Sequence, residues 1–235
     1  MAASVMVTPF AGTVAGSLVV EALAVAVRRS GRARLGVAGG SSVVPVFRWL
    51  ATSLPDALAS ATTVTWLDER HVPFDDSGSW QDLPPELNLR GAWAHWFSRA
   101  AVVPQLVPLA FPGTLQQAAA SATDRVQASL GGLDVVLLGV GPDGHFASLF
   151  PGHAALDDPG PVVAVSDSPK PPPERLTLSL PVMQDVDVAV LVALGKGKAP
   201  ALAQAQRGEL PLGRYQPRGA YHWVCDPAAA SLLES

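Results

Sequence analysis

The sequence predicts an α/β fold, with a mainly parallel sheet covered by helices on both faces. Three observations predict it. Short runs rich in Val and Leu recur without polar alternation, which marks strands buried on both sides. These runs alternate with stretches of helical spacing, and a repeated βα order builds a parallel, Rossmann-like sheet. The chain of 235 residues is also 49% hydrophobic and only 15% charged, against roughly 25% charged in a typical soluble domain. A large apolar core follows, and one domain suffices because single α/β domains often reach about 200–250 residues.

The elements follow in order. A first helix is expected over residues 13–29, where Leu18, Ala22 and Val25 recur at helical spacing and Arg28, Arg29 and Gly31 form a stop. This segment lacks the basic start of a signal peptide, and Glu21 interrupts its apolar run. No run reaches the ~18 clean apolar residues of a membrane span. A strand at Leu35–Ala38 leads to a helix at Val43–Ala51, and a strand at Val64–Leu67 leads to a charged segment. Asp75–Glu86 is polar and turn-rich and reads as an exposed loop. Helices are expected at Arg90–Ala101 and Thr114–Leu130, then the most apolar strand at Asp134–Val140. Strands at Val162–Val165 and Leu176–Leu180 flank the loop Ser166–Glu174, which its prolines stiffen. A strand at Val186–Leu194, a helix at Lys198–Ala205 and a strand at His222–Cys225 complete the pattern. With no internal repeat and no linker, residues 1–235 read as a single domain.

Composition excludes several classes. A net charge of only −4 with high hydrophobicity excludes disorder. The single Cys225 excludes an internal disulfide framework and a four-cysteine zinc site, and suits a reducing cytoplasm. Mild acidity gives no electrostatic reason to expect nucleic acid as a partner. The histidines at 71, 95, 145, 153 and 222 form neither HxH nor HExxH, so no metal site is expected.

In open α/β sheets, ligands bind beyond the carboxyl ends of the strands, so the segments after each strand carry the functional reading. Gly39-Gly40-Ser41-Ser42 precedes a helix. Its glycines allow close backbone approach to a ligand, while its hydroxyls either meet an anion or cap the helix. Asp68-Glu69-Arg70-His71 places four ionisable residues in a row in a chain with few of them. Arg70 suits bidentate contact with a phosphate and Asp68 suits a sugar hydroxyl or that arginine; the alternative is a solvated turn. Gly141-Pro142-Asp143-Gly144-His145 sets a carboxylate two residues from an imidazole. His145 is the side chain there that exchanges a proton near neutral pH, and Asp143 can orient it. Lys170, held among prolines, and Arg175 both suit an anion, as does Lys198 after the next strand.

These segments resemble the 6-phosphogluconolactonases, within the glucosamine-6-phosphate deaminase/ribose-5-phosphate isomerase-like fold. The motifs that carry the resemblance are GGSS at 39–42, DERHVP at 68–73, LLGVGPDGHFASLFPG at 137–152, SPKPPPERLTL at 168–178 and GKGKA at 195–199. The resemblance implies hydrolysis of 6-phospho-D-glucono-1,5-lactone, a phosphorylated sugar lactone, without metal or organic cofactor. It implies His145 as general base oriented by Asp143, glycine-loop N–H groups as oxyanion donors, and Arg70, Lys170, Arg175 and Lys198 as the cations for the 6-phosphate. Gly39, Gly40 and Ser41 would contact the sugar phosphate. Phe146 stands where the family usually has Thr, the proline of the first loop is delayed to Pro45, and the family's Ser-Asn pair finds its nearest match in Ser79-Trp80, without the amide. An isomerase or deaminase on the same fold, and a non-enzymatic sugar-phosphate sensor, are the alternatives.

Overall fold

The computed structural model describes residues 3–74 and 79–234. Its strands are β1 (Ser4–Val7), β2 (Ala33–Val37), β3 (Thr62–Trp66), β4 (Asp68–Arg70), β5 (Gln105–Val107), β6 (Val135–Leu138), β7 (Val162–Val165), β8 (Arg175–Leu178), β9 (Val188–Ala193) and β10 (Ala220–Cys225). Its α-helices are α1 (Ala11–Ser30), α2 (Val44–Ser53), α3 (Asp56–Ser60), α4 (Asn88–His95), α5 (Leu115–Ser129), α6 (Leu180–Gln184), α7 (Ala199–Gln206) and α8 (Leu210–Arg214). Seven strands form one sheet in the order β1-β10-β9-β6-β2-β3-β5, and every neighbouring pair is parallel. A second sheet, β4-β8-β7, is antiparallel.

Every residue of β6 is buried, as are the last five of β9, which accounts for their unbroken apolar runs. α1 is long and apolar enough to cross a membrane by length and composition. Here it lies across β2, β6, β9 and β10 and buries Ala15, Val19 and Leu23 completely. Gly12 and Gly16 let α2 approach it: a Cβ on Gly16 would sit 2.3 Å from the Trp49 ring. The helix stops where expected, at Gly31, which takes φ 76° and donates its N–H to Val27 O. One apolar cluster runs from Ala11 to Ala229.

The structure corrects the reading of 68–70 as a turn. Asp68 and Glu69 are buried, and these residues form β4, paired with β8. The charges suggested solvent, but their partners lie inside the protein. The helix expected to reach Ala101 ends at His95 and gives way to a 3-10 turn at Phe97–Arg99. β1, β5, α3, α6 and α8 were not expected; at three to five residues each, they are too short to show a period. Residues 75–78 of the expected exposed loop lie outside the described residues; the rest holds a 3-10 turn at Trp80–Asp82.

Candidate active site

The carboxyl ends of β2, β6 and β9 open toward one side, where the small sheet adds β4 and β8. Between them lies a cleft of roughly 190 Å³. Gly39, Gly40, Ser41, Asp68, Arg70, His145, Arg175 and Lys198 all line it. Asp143 and Lys170 do not line the wall; both approach His145 instead.

Strand alternation sorts the charged run. Successive residues of a strand face opposite sides, so Asp68 and Arg70 share the cleft face while Glu69 points away. Arg70 pairs directly with Arg175 across β4 and β8, which brings two guanidinium groups to one wall. Asp68 accepts from Ser148 Oγ at 2.7 Å and from Asn88 Nδ2 at 3.1 Å. Glu69 does other work. It accepts from the N–H groups of Arg70, Asn88 and Leu89 at 2.6–2.8 Å and so caps the start of α4. Burial raises its carboxyl to about 7, against the three N–H bonds that lower it.

The expectation that the site lacks an amide is corrected by Asn88. It stands one residue into α4, lines the cleft and donates to the Asp68 backbone and side chain. Its approach is close enough that a Cβ on Gly39 would sit 1.9 Å from Asn88 Oδ1. Ser41 and Ser42 do not cap α2, because no side-chain cap bond is made there. Gly40 takes φ 90°, a conformation glycine reaches without strain.

The loop after β6 holds the imidazole. Gly141 N–H donates to His145 O at 2.8 Å and Gly144 N–H to Gly141 O at 3.0 Å, closing a tight turn. Those two donors are therefore used within the loop and not available to an oxyanion. Gly39 and Gly40, whose N–H groups make no backbone hydrogen bond, are the glycine donors left at the cleft. His145 Nδ1 lies 2.5 Å from Asp143 Oδ1. Lys170 Nζ donates to the same oxygen at 2.9 Å and sits 3.1 Å from His145 Nδ1. The ring is backed by Phe150, at a centroid distance of 4.7 Å.

Electrostatics divide the pair. Burial pushes the His145 imidazolium below its usual pKa; Asp143 opposes this and Lys170 adds to it. Partial burial disfavours the Asp143 carboxylate, yet hydrogen bonds from Lys170 and His145 hold it down to about 2. The result is a neutral imidazole beside a fixed carboxylate. With Nδ1–H donated to Asp143, Nε2 keeps its lone pair. Burial, then the neighbouring Lys170, lowers Lys198 as well, and Lys198 makes no ion pair among the described residues.

Sequence reasoning missed Asn88, Ser148 and Phe150. Ser148 and Phe150 lay within the quoted glycine-loop motif, but nothing in the sequence linked them to Asp68 or to the imidazole face. No cluster of three or more His, Cys, Asp or Glu suited to a metal exists among the described residues.

Fold and site together define a class: parallel α/β proteins with a glycine-walled, cation-lined cleft at the strand carboxyl ends. A family model described as glucosamine-6-phosphate isomerases/6-phosphogluconolactonase matches residues 11–223, and the chain belongs to that family. It is 38% identical over 143 residues to a 6-phosphogluconolactonase of Caulobacter vibrioides, a match covering 61% of this chain and 57% of that one. It is 37% identical over 221 residues to the 6-phosphogluconolactonase of Rattus norvegicus, covering 86% and 81%. The structure of 6-phosphogluconolactonase from Trypanosoma cruzi superposes with a TM-score of 0.83 at 23% identity, over 100% of this chain and 99% of that one. A likeness at that identity speaks for the fold. The match to the Caulobacter protein spans little more than half of its length.

Proposed function

We propose that this chain hydrolyses 6-phospho-D-glucono-1,5-lactone to 6-phosphogluconate, acting as one domain. The observation that carries the reading is the neutral His145, oriented by Asp143, at a cleft whose wall also holds Arg70 and Lys198. The names of the relatives described above support the same substrate.

The chemistry follows from the side chains. His145 Nε2 takes a proton from water as the oxygen attacks the C1 carbonyl. The tetrahedral oxyanion is met by N–H groups at Gly39 and Gly40. When the bond from C1 to the ring oxygen breaks, the imidazolium returns its proton to that oxygen, so no net proton is held by the enzyme before product ionisation. Asp143 stays ionised and keeps Nδ1–H in place. Arg70, fixed by donation of its Nη1 to Glu86 O at 2.7 Å, and Lys198 hold the 6-phosphate. Asp68 faces the sugar hydroxyls. None of these roles calls on a metal or an organic cofactor.

A coupled assay on freshly made lactone tests the proposal. Acceleration over spontaneous hydrolysis that disappears in His145→Ala supports it. Ammonia release from glucosamine 6-phosphate, with no lactone turnover, would replace it with the deaminase reading.

A further inference from the structure

Lys170 and Arg175 look alike in the sequence as cations for a phosphate, but their donors are engaged elsewhere. Arg175 is buried. Its Nε donates to Pro172 O at 3.1 Å, and its Nη2 to Lys170 O and Pro171 O, both at 3.1 Å. One guanidinium thus grips three successive carbonyls, a task suited to its planar fork. The grip matters because of the sequence it holds. Residues 169, 171, 172 and 173 are all proline, so they have no N–H with which to tie the loop down. The one backbone donor among 169–173 is Lys170 N–H, which goes to Ser168 Oγ at 3.2 Å. The loop therefore depends on an outside donor for its shape.

We propose that Arg175 is a positioning residue: it fixes the proline loop so that the Lys170 ammonium rests on Asp143 beside His145. The arrangement continues on its other side. Arg175 Nη1 lies 4.0 Å from Asp68 Oδ2, and its guanidinium sits over Phe150 at 5.6 Å, the ring that backs His145. The charged groups facing His145 are Asp143 from its own loop, Lys170 from the proline loop and Asp68 from β4. Of these, Lys170 alone favours the neutral imidazole. Placing it requires the backbone at 170, which Arg175 and Ser168 hold.

The kinetic part of this inference rests on the lactonase reading; the spectroscopic part does not. The experiment is an NMR titration of the His145 ring in the intact protein, in wild type, Arg175→Lys and Lys170→Met. Removal of the Lys170 charge is expected to move the His145 titration upward. Arg175→Lys, which keeps the charge but loses the fork, is expected to move it the same way. The double variant should then shift no further than Lys170→Met alone, because both act through one ammonium. On the lactone, kcat should fall on the order of tenfold, while affinity for 6-phosphogluconate stays within about twofold. An unmoved His145 titration in both variants, or a loss confined to product affinity, would overturn the relay in favour of direct phosphate contact. If Arg175→Lys does not fold, Lys170→Met decides, since its side chain is one-third exposed; an unmoved titration there overturns the proposal alone. Failure of wild type to turn over lactone would remove the proposed function and leave the titration result standing.

Discussion

Gly141 and His145 occupy adjoining space so closely that a β-carbon on Gly141 would sit 2.0 Å from the imidazole Nδ1 and Cε1. Gly141 does not have a positive φ, so its backbone would accept alanine. The requirement for glycine is the ring itself. Gly141→Ala is therefore expected to push the imidazole off Asp143 while leaving the turn formed. Displacement of about 1 Å at a reacting group costs on the order of 10²-fold in rate. Lactone turnover and thermal melting, measured together, check this: activity should fall by that order with the melting transition still cooperative.

The acid limb of turnover belongs to His145. The base is the neutral form, so kcat/KM should fall as pH drops through the His145 pKa and be flat above it. Burial sets that pKa below the usual value, so the limb is expected below about 6.5, the unperturbed histidine range. Asp143, held at about 2, stays ionised throughout and adds no second limb in this range. A pH–rate profile with no fall between pH 7 and 4.5 would remove His145 from the base role.

Lys198 makes no ion pair among the described residues and lines the cleft. A buried amine without a counter-charge is poised to take up an anion. Lys198→Met is expected to weaken 6-phosphogluconate by about 1.5–3 kcal/mol, the range of a hydrogen bond to a charged group, with a smaller change in kcat. Calorimetric binding of the product checks it; an unchanged affinity would leave the phosphate to Arg70 alone.

The sequence was most readable where chemistry and element type coincide. The buried strands showed as unbroken apolar runs, Gly31 as a helix stop, and the Asp143–His145 pair as two groups two residues apart on a glycine turn. What could not be read was pairing across long separations. Glu69 and Asp68 are neighbours in sequence, yet alternation sends one to cap α4 and the other to Ser148, 80 residues on. Asn88 looked like any amide before a helix. Lys170 and Arg175 have the same charge, and only the fold shows one on Asp143 and the other on proline-loop carbonyls.

Glu69 gives a stability test with a definite sign. It satisfies three N–H groups at β4 and the start of α4. Glu69→Ala leaves them buried and unpaired, and is expected to cost about 1–3 kcal/mol. Burial raises the wild-type carboxyl to about 7, above its unfolded value near 4.3. The folded protein thus binds this proton more tightly than the unfolded chain. Its contribution is full below the unfolded pKa and is lost as pH rises through about 7. Urea unfolding of wild type against Glu69→Gln checks this: the difference between them should change between pH 4.5 and 8 in that direction, because the amide does not titrate.

Phe146 replaces the threonine usual in the family and is fully buried. Its ring meets Tyr215 edge-on at 5.2 Å, and Tyr215 is itself fixed by donation to Met183 O at 2.8 Å and by contact with Tyr221. The phenyl ring is thus part of an aromatic layer behind the cleft, and the surrounding side chains are shaped to it. Restoring the family residue should therefore harm this protein. Phe146→Thr removes most of the ring and leaves a gap that Tyr215, tethered at its hydroxyl, cannot close. Losses of buried phenylalanine to a small side chain cost about 3–5 kcal/mol, and the same order is expected here. Phe146→Leu keeps most of the apolar volume and should cost less. Denaturant midpoints for the two variants check the ranking. A Phe146→Thr protein as stable as wild type would show that Tyr215 moves into the vacated space and that the ring is dispensable to the fold.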